Sequence, residues 1–430
     1  MTGRFRIFFL LLPLSLQAEV PLSLREAMDI ALKNNYDLQI IRNTAEEARL
    51  ANTSGMAGAL PTVGISVRDK ASVLDVDQEF STGTTINREG TTSNTLGGDA
   101  TVSYTLFNGF SIRATKARLE ALHKIGEQEL LLQLQNTLAE VIFRYFDVVR
   151  QQGYKSALER GRDFADQKLK ILEQRQKVGM SNNADVFQAR IDLNVSDQHL
   201  AEQSLLIRKA NVDLAVQLGM DADTVFLMTD SMTIGAEIPL DSVLSKLDAY
   251  PEMLAAAARV TVSEQYIREA RSQRLPSLRM EGGYSYGRTR NSAGFSLLNL
   301  YSGPSAGATL AVPIFNGGSY RTQEKIAGLQ YKSAVIEEQM VRQRLEAQVI
   351  KAYEAYRTAV GQLEQQEESH ILSNQLLDIQ LLRFSNGQST ILDLRAAQSA
   401  YEEAAAGLEN ARFVAVVAET ELRRLMSVLK

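Results

Sequence analysis

The sequence predicts a mainly helical fold with a small β part, laid out twice along one chain. Three observations predict it: two proline-free stretches of about 70 residues with heptad spacing, four segments of alternating polarity, and a near-duplication at an offset of 208. With 430 residues, 45% of them hydrophobic, 27 Gly and 8 Pro, the chain has the composition of a folded protein.

Composition also excludes much chemistry. There is no Cys, which removes disulfides, thiolate metal sites and thiol catalysis. The three histidines, His123, His199 and His370, are scattered and speak against a multi-histidine metal or acid–base site. A net charge of −5 argues against nucleic acid as a partner, since phosphate binding wants a basic face. No Ser/His/Asp arrangement, phosphate loop or metal-ligand spacing is present, so no catalytic residue, cofactor or metal is expected. The acid pairs Glu46-Glu47, Glu337-Glu338 and Glu402-Glu403 read as solvated helix faces, and Met180, Met220 and Met228 as packing residues.

The first element, residues 1–18, places Arg4 and Arg6 before an apolar run from Ile7 to Leu12, and ends in Leu16-Gln17-Ala18. A basic start, a short apolar core and a small final residue read as a secretory signal peptide, too short to be retained as a spanning helix. Its removal takes Arg4 and Arg6 from 46 basic groups, leaving 44 against 51 acids, about −7.

The duplication comes next. Phe107-Asn108-Gly109 recurs as Phe315-Asn316-Gly317, Gly179 as Gly387, and Asp185 as Asp393. Between them Ala139, Val141, Ile142 and Tyr145 meet Ala347, Val349, Ile350 and Tyr353 without insertion. The expected division is a first repeat over 19–219, an inter-repeat segment over 220–247 and a second repeat over 248–430. Each repeat reads helix, strand, strand, long helix, long helix.

Helical seams are spelled out by position. Leu131, Leu134, Leu138, Val141, Tyr145 and Val148 alternate steps of three and four. Val186, Leu193, Leu200, Ile207 and Leu214 recur every seven residues, as do Leu394, Tyr401, Leu408, Ala415 and Leu422. Proline-free runs of about 70 residues would make helices roughly 100 Å long. Rods of that length, apolar on more than one side, must pack against neighbours.

The strands alternate. Ala100, Val102, Tyr104 and Leu106 are interleaved with Thr101, Ser103 and Thr105, and Leu278, Met280, Tyr284 and Tyr286 belong to a second set. Val63, Ile65 and Val67 begin the first strand; Ala306, Ala308, Leu310 and Val312 make the last. Polar stretches 75–97 and 288–303 read as long hairpin loops. Four strands leave two open edges, which hydrocarbon does not tolerate, so a membrane barrel built from them must be shared among subunits. A poreless periplasmic coiled-coil adaptor or structural protein is the alternative; it accounts for the heptads and the export signal, not for the strands.

Taken in order, the signal peptide, the two halves, Leu60-Pro61 and Leu275-Pro276 before one strand, Phe-Asn-Gly after the next and the Gly-x5-Asp turn resemble the TolC-like outer membrane efflux protein family. The resemblance covers nearly the whole mature chain and includes Leu24-Arg25-Glu26-Ala27 through Asn34-Asn35. It implies a homotrimer in which each chain gives four strands to a 12-stranded outer-membrane β-barrel and long coiled-coil helices to a periplasmic α-barrel. It further implies a passive exit duct, of a tripartite efflux or type I secretion system, that docks with a periplasmic adaptor (membrane fusion) protein and an inner-membrane transporter. Outer membrane lipid would surround the strands, and no nucleic acid is involved.

By the same resemblance the turns between each repeat's long helices form the periplasmic tip, which closes the resting pore and meets the adaptor. The residues expected there are Val178, Gly179, Ser181 and Asp185 in one turn, and Phe384, Gly387, Ser389 and Asp393 in the other. Gly179 and Gly387 would end one helix in a left-handed conformation; Ser181 or Asn182, and Ser389 or Thr390, would cap the next. Asp185 and Asp393 suit the early turns electrostatically. Ser389 and Ala396 stand where the family carries an Arg and a further Asp, so closure is expected to rest on packing and hydrogen bonds, with Phe384 in the place of a gating Tyr.

Overall fold

A computed structural model describes residues 20–429; the expected signal peptide, residues 1–18, lies outside the described residues. The elements run β1 (Val20–Leu22), α1 (Leu24–Asn34), α2 (Tyr36–Ala51), β2 (Thr62–Glu79), β3 (Thr85–Asn108), α3 (Ser111–Lys177), α4 (Asn183–Leu218) and β4 (Phe226–Met228). They continue with α5 (Leu240–Leu244), α6 (Pro251–Ser272), β5 (Ser277–Asn291), β6 (Leu298–Ala311), α7 (Ser319–Ser385) and α8 (Ile391–Leu425). Helices α3 and α7 are each 67 residues long and begin 208 residues apart. At 1.5 Å per residue each is roughly 100 Å.

The contacts divide the chain into two compact units, each drawing on both halves of the sequence. One contains Thr44–Gln128 and Met253–Val341. Its centre is an antiparallel sheet in the order β2-β3-β5-β6. Strand register sorts the side chains onto two faces, because successive residues alternate. Ile65, Ala100, Tyr284 and Pro304 share one level of the first face, and Val63, Val102, Gly282 and Ala306 the level beside it. Between these levels the second face carries Gly64, Thr101, Gly283 and Ser305. The apolar row is broadly exposed: Val63, Ile65 and Val67 are 74–80% accessible. A face like that needs an apolar surround.

The strands are longer than the sequence predicts. Pairing continues through Glu79↔Thr85 and through Arg290↔Leu298, so the hairpin turns shrink to residues 80–84 and 292–297 instead of 75–97 and 288–303. Thr, Ser and Asn in these stretches serve the ladder as well as a turn, and their polarity on both faces hides the strand period. At the base of β3, Gly109 takes φ +65° with a would-be Cβ only 2.4 Å from Ser272 O, so only Gly fits there. Polar ties hold the flanking helices: Arg118 to Glu269 at 2.9 Å, and Arg271 and Arg274 to Glu324 at 3.0 and 2.8 Å.

The other unit takes in the chain up to Asn43, Glu129–Glu252 and the chain from Arg342 onward. Its main core joins Leu138, Val141, Ile142, Tyr145 and Val148 of α3 to Ala210, Leu214 and Leu218 of α4, and to Phe413 and Val416 of α8. Each such side chain contributes about 1.5–3 kcal/mol by leaving water. The predicted seam positions of α8, from Leu394 to Leu422, are all buried. On α3 the seam holds from Leu138 to Val148, but Leu131 is 47% exposed, so burial there starts one turn or more later than the spacing suggests. Strand β1 pairs in parallel with β4, Val20↔Phe226 through Leu22↔Met228, and Tyr145 Oη lies 2.9 Å from both Leu22 O and Asp230 Oδ2.

Candidate functional site

Both long helix pairs reverse through the same backbone motif. Gly179 and Gly387 each adopt φ +76°, where a side chain would strain the chain. Met180 N–H donates to Arg175 O at 2.8 Å and Gly179 N–H to Gln176 O at 3.0 Å. In the second turn Gln388 N–H donates to Arg383 O at 2.8 Å and Gly387 N–H to Phe384 O at 3.0 Å. This nested pair of bonds satisfies the carbonyls left over at a helix end.

The restart of each helix follows from its cap. Asn182, not Ser181, caps α4: its side-chain oxygen accepts Asp185 N–H at 2.8 Å, while Ser181 Oγ donates to Asp185 Oδ2 at 3.2 Å. Thr390, not Ser389, caps α8 in a reciprocal box with Asp393, whose carboxylate accepts Thr390 N–H at 2.9 Å. That backbone donor, then the Thr390 hydroxyl, holds the Asp393 carboxyl below the usual carboxylate range. Ser389 Oγ only reaches Gln380 O at 3.5 Å. Asp185 and Asp393 thus act first as helix-start residues, and neither forms an ion pair among the described residues. Val178, Met180, Leu382 and Leu392 leave an exposed apolar rim around the two turns.

Phe384 is buried at 3% exposure in a cluster with Phe164, Leu169, Leu172 and Leu377. Arg175 covers its ring at 4.7 Å and donates to the carbonyls of Phe384 and Ser385, so the last turn of α3 closes the end of α7. Farther along, Lys168, with its side chain 1% exposed, donates to Asp192 Oδ2 at 2.7 Å. Arg395 meets the same carboxylate at 2.7 and 2.9 Å, and Gln188 Nε2 adds a bond at 3.0 Å. Burial alone would raise the Asp192 carboxyl; the bonds from Arg395, Lys168 and Gln188 outweigh it and hold the group below its ordinary range. One carboxylate therefore joins α3, α4 and α8.

Sequence reasoning missed Arg175, Lys168, Asp192 and Arg395. Lys168 left a trace, since it occupies the i+4 position between Phe164 and Leu172 on an otherwise apolar stripe. Asp192 and Arg395 are 203 residues apart and left none. An ionic tie exists near the turns, but with other residues than those the resemblance offered.

The family model for outer membrane efflux proteins matches residues 27–220 and 245–428. The chain belongs to the outer membrane efflux protein family. It is 28% identical over 309 residues to the outer membrane protein TolC of Vibrio cholerae, covering 69% of this chain and 68% of that one. The TolC of Escherichia coli is 21% identical over 355 residues, 75% of this chain and 71% of the other. Among solved structures, the CmeC outer membrane channel of Campylobacter jejuni shares the fold with a TM-score of 0.77, 18% identity, and 94% and 85% of the two chains covered. The open-state MtrE outer membrane channel of Neisseria gonorrhoeae gives 0.70, 19%, and 95% and 89%. Membership makes this protein an outer membrane efflux channel with a periplasmic extension, not an enzyme. Nothing among these proteins favours a poreless periplasmic coiled coil.

Proposed function

We propose that this efflux protein is one third of a passive exit duct, with three copies closing a 12-stranded barrel and an α-helical barrel beneath it. The observation that carries the reading is the sheet: among the described residues it has four strands, one apolar face, and two unpaired edges, β2 and β6, of 18 and 14 residues. Long bare edges are templates for pairing, and hydrocarbon demands that they be paired. The helices agree, because Ile191, Val195, Leu205, Ile326, Leu329 and Met340 stay exposed in a single chain. Repeats over 19–219 and 248–430, joined through 220–247, would let one chain supply two similar helix pairs to such a wall.

In this reading, substrate moves through a water-filled lumen and its direction comes from an inner-membrane transporter, reached through a periplasmic adaptor. The apolar rim of Val178, Met180, Leu382 and Leu392 is the surface offered to the adaptor, and the turns with Gly179, Ser181, Asp185, Phe384, Gly387, Ser389 and Asp393 set the resting aperture. Opening is a shift of helix pairs between two packed arrangements, biased by the adaptor's differential contacts. In planar bilayers the wild type is expected to conduct weakly, and Asp185→Ala with Asp393→Ala to conduct more, since the carboxylate bonds to Ser181 and Thr390 are lost together. Unchanged conductance would remove these residues from the gate, and absence of any channel would remove the duct itself.

A further inference from the structure

The apolar face of the sheet has an end that its lipid-facing role does not account for. From Leu278 to Tyr286 along β5 is eight residues, roughly 27 Å of strand, enough once tilted to cover most of an apolar band of about 25 Å. Tyr284 and Tyr286 mark the upper border of that band, as interfacial tyrosines do. Two and four residues farther toward the hairpin turns, on the same face, come Arg288 and Arg290. Strand pairing sets Arg288 between Leu96 and Leu300, and Arg290 between Asn94 and Leu298.

Neither arginine has an acidic partner among the described residues, and Arg288 Nε is buried without a hydrogen-bond acceptor. Asp69, on this face at the level of Leu96, already accepts a bond from Asn94 at 2.8 Å. Arg290 borders a groove of about 370 Å³ lined by Ala71 and Val73 and otherwise by the serine, threonine and asparagine residues at 72, 92–94 and 291–292. Two unpaired guanidinium groups above a tyrosine border, with leucines flanking them and a groove edged by hydroxyl and amide side chains at one side, have the chemistry of a headgroup site: planar donors for phosphate and polar groups for the rest of the headgroup. The hairpin turns lie at the ends of the strands opposite Asn108 and Ser277, where α3 and α6 join the sheet, so on the barrel reading this level belongs to the outer leaflet.

We propose that Arg288 and Arg290 bind the phosphates of an outer-leaflet lipid headgroup, with the groove beside Arg290 receiving part of that lipid. The proposal rests on the barrel reading of the strands. The test uses the full chain in detergent, with lipopolysaccharide and enzymatically dephosphorylated lipopolysaccharide as probes and native mass spectrometry to count retained lipid. The wild type is expected to prefer the phosphorylated form by about thirtyfold, the effect of two surface arginines near anionic lipid. R288Q/R290Q should lose that preference and R288K/R290K should keep most of it, while excess inorganic phosphate should leave it in place. A wild type that ignores phosphorylation, a glutamine pair that keeps the preference, or full displacement by inorganic phosphate overturns the proposal. If the glutamine pair does not fold, the lysine pair and the two lipid probes still decide. Failure of the wild type to enter detergent micelles or vesicles would instead overturn the barrel reading.

Discussion

The two turns at the ends of the long helices share a backbone and differ in chemistry. At the repeat offset of 208, Gly179 matches Gly387 in φ and in both closing hydrogen bonds, and Arg175 matches Arg383. Yet Arg175 reaches across to Phe384 and Ser385, whereas Arg383 reaches only Gln388 O at 3.5 Å in its own turn. The counterpart of the buried Phe384 is Gln176, which bonds locally to Asn183. The charged trio fares the same way: Lys168, Asp192 and Arg395 correspond to Leu376, Ala400 and Phe187. Duplication preserved the turn geometry, which only glycine and a cap can supply, and released the side chains to hold the two helix pairs to each other.

The largest expected effect breaks that asymmetry at its centre. Asp192→Ala leaves Lys168 buried without a counter-charge and should cost about 3–5 kcal/mol of local stability. Arg395→Ala, which removes a partner 44% exposed, should cost about 0–1 kcal/mol. Amide hydrogen exchange across α3 and α4 near the turn reads the difference, and equal protection in the two variants would contradict the assignment. The pH dependence has a definite sign. Because the folded Asp192 carboxyl titrates below its ordinary 3.8, its contribution is complete above that pH and disappears as pH falls through the lower folded value. Protection should therefore be flat near neutrality and fall only in strong acid, a fall missing from Asp192→Asn.

A middle-sized effect separates the paired arginines. Arg175→Ala removes bonds to two carbonyls and the stack on Phe384, a loss of about 2 kcal/mol, while Arg383→Ala should be nearly silent. Limited proteolysis at residues 384–390 would rank them. The smallest difference is expected between the glycines. Gly179→Ala and Gly387→Ala should each cost about 1–2 kcal/mol, because both impose a side chain on φ +76°. A clear inequality in the unfolding midpoints of these two variants would show that the turns are not equivalent even as backbone.

Much of this was legible in the sequence for physical reasons that can be named. The seam of α8, the paired glycines and the Asp after each turn are local signals, fixed by helical period and by left-handed backbone, and they appear where the spacing put them. The hairpins were misjudged at their outer ends because strands wetted on both faces have no amphipathic period to read. The Asp192 trio was invisible because it joins residues from different helices, and pattern along a chain reports neighbours three or four positions away. The resemblance supplied Asp185 and Asp393 as site residues, and their immediate partners proved to be the helix starts themselves.

The small parallel pair of β1 and β4 has a consequence for biogenesis. Among the described residues, Val20–Leu22 pairs with Phe226–Met228, 206 residues later. That strand pairing cannot form before Phe226–Met228 has been made, so until then Leu22 has only nearer partners such as the Tyr145 hydroxyl. A contact so distant along the chain carries a large loop-closure cost and is expected to form after the local helical ones.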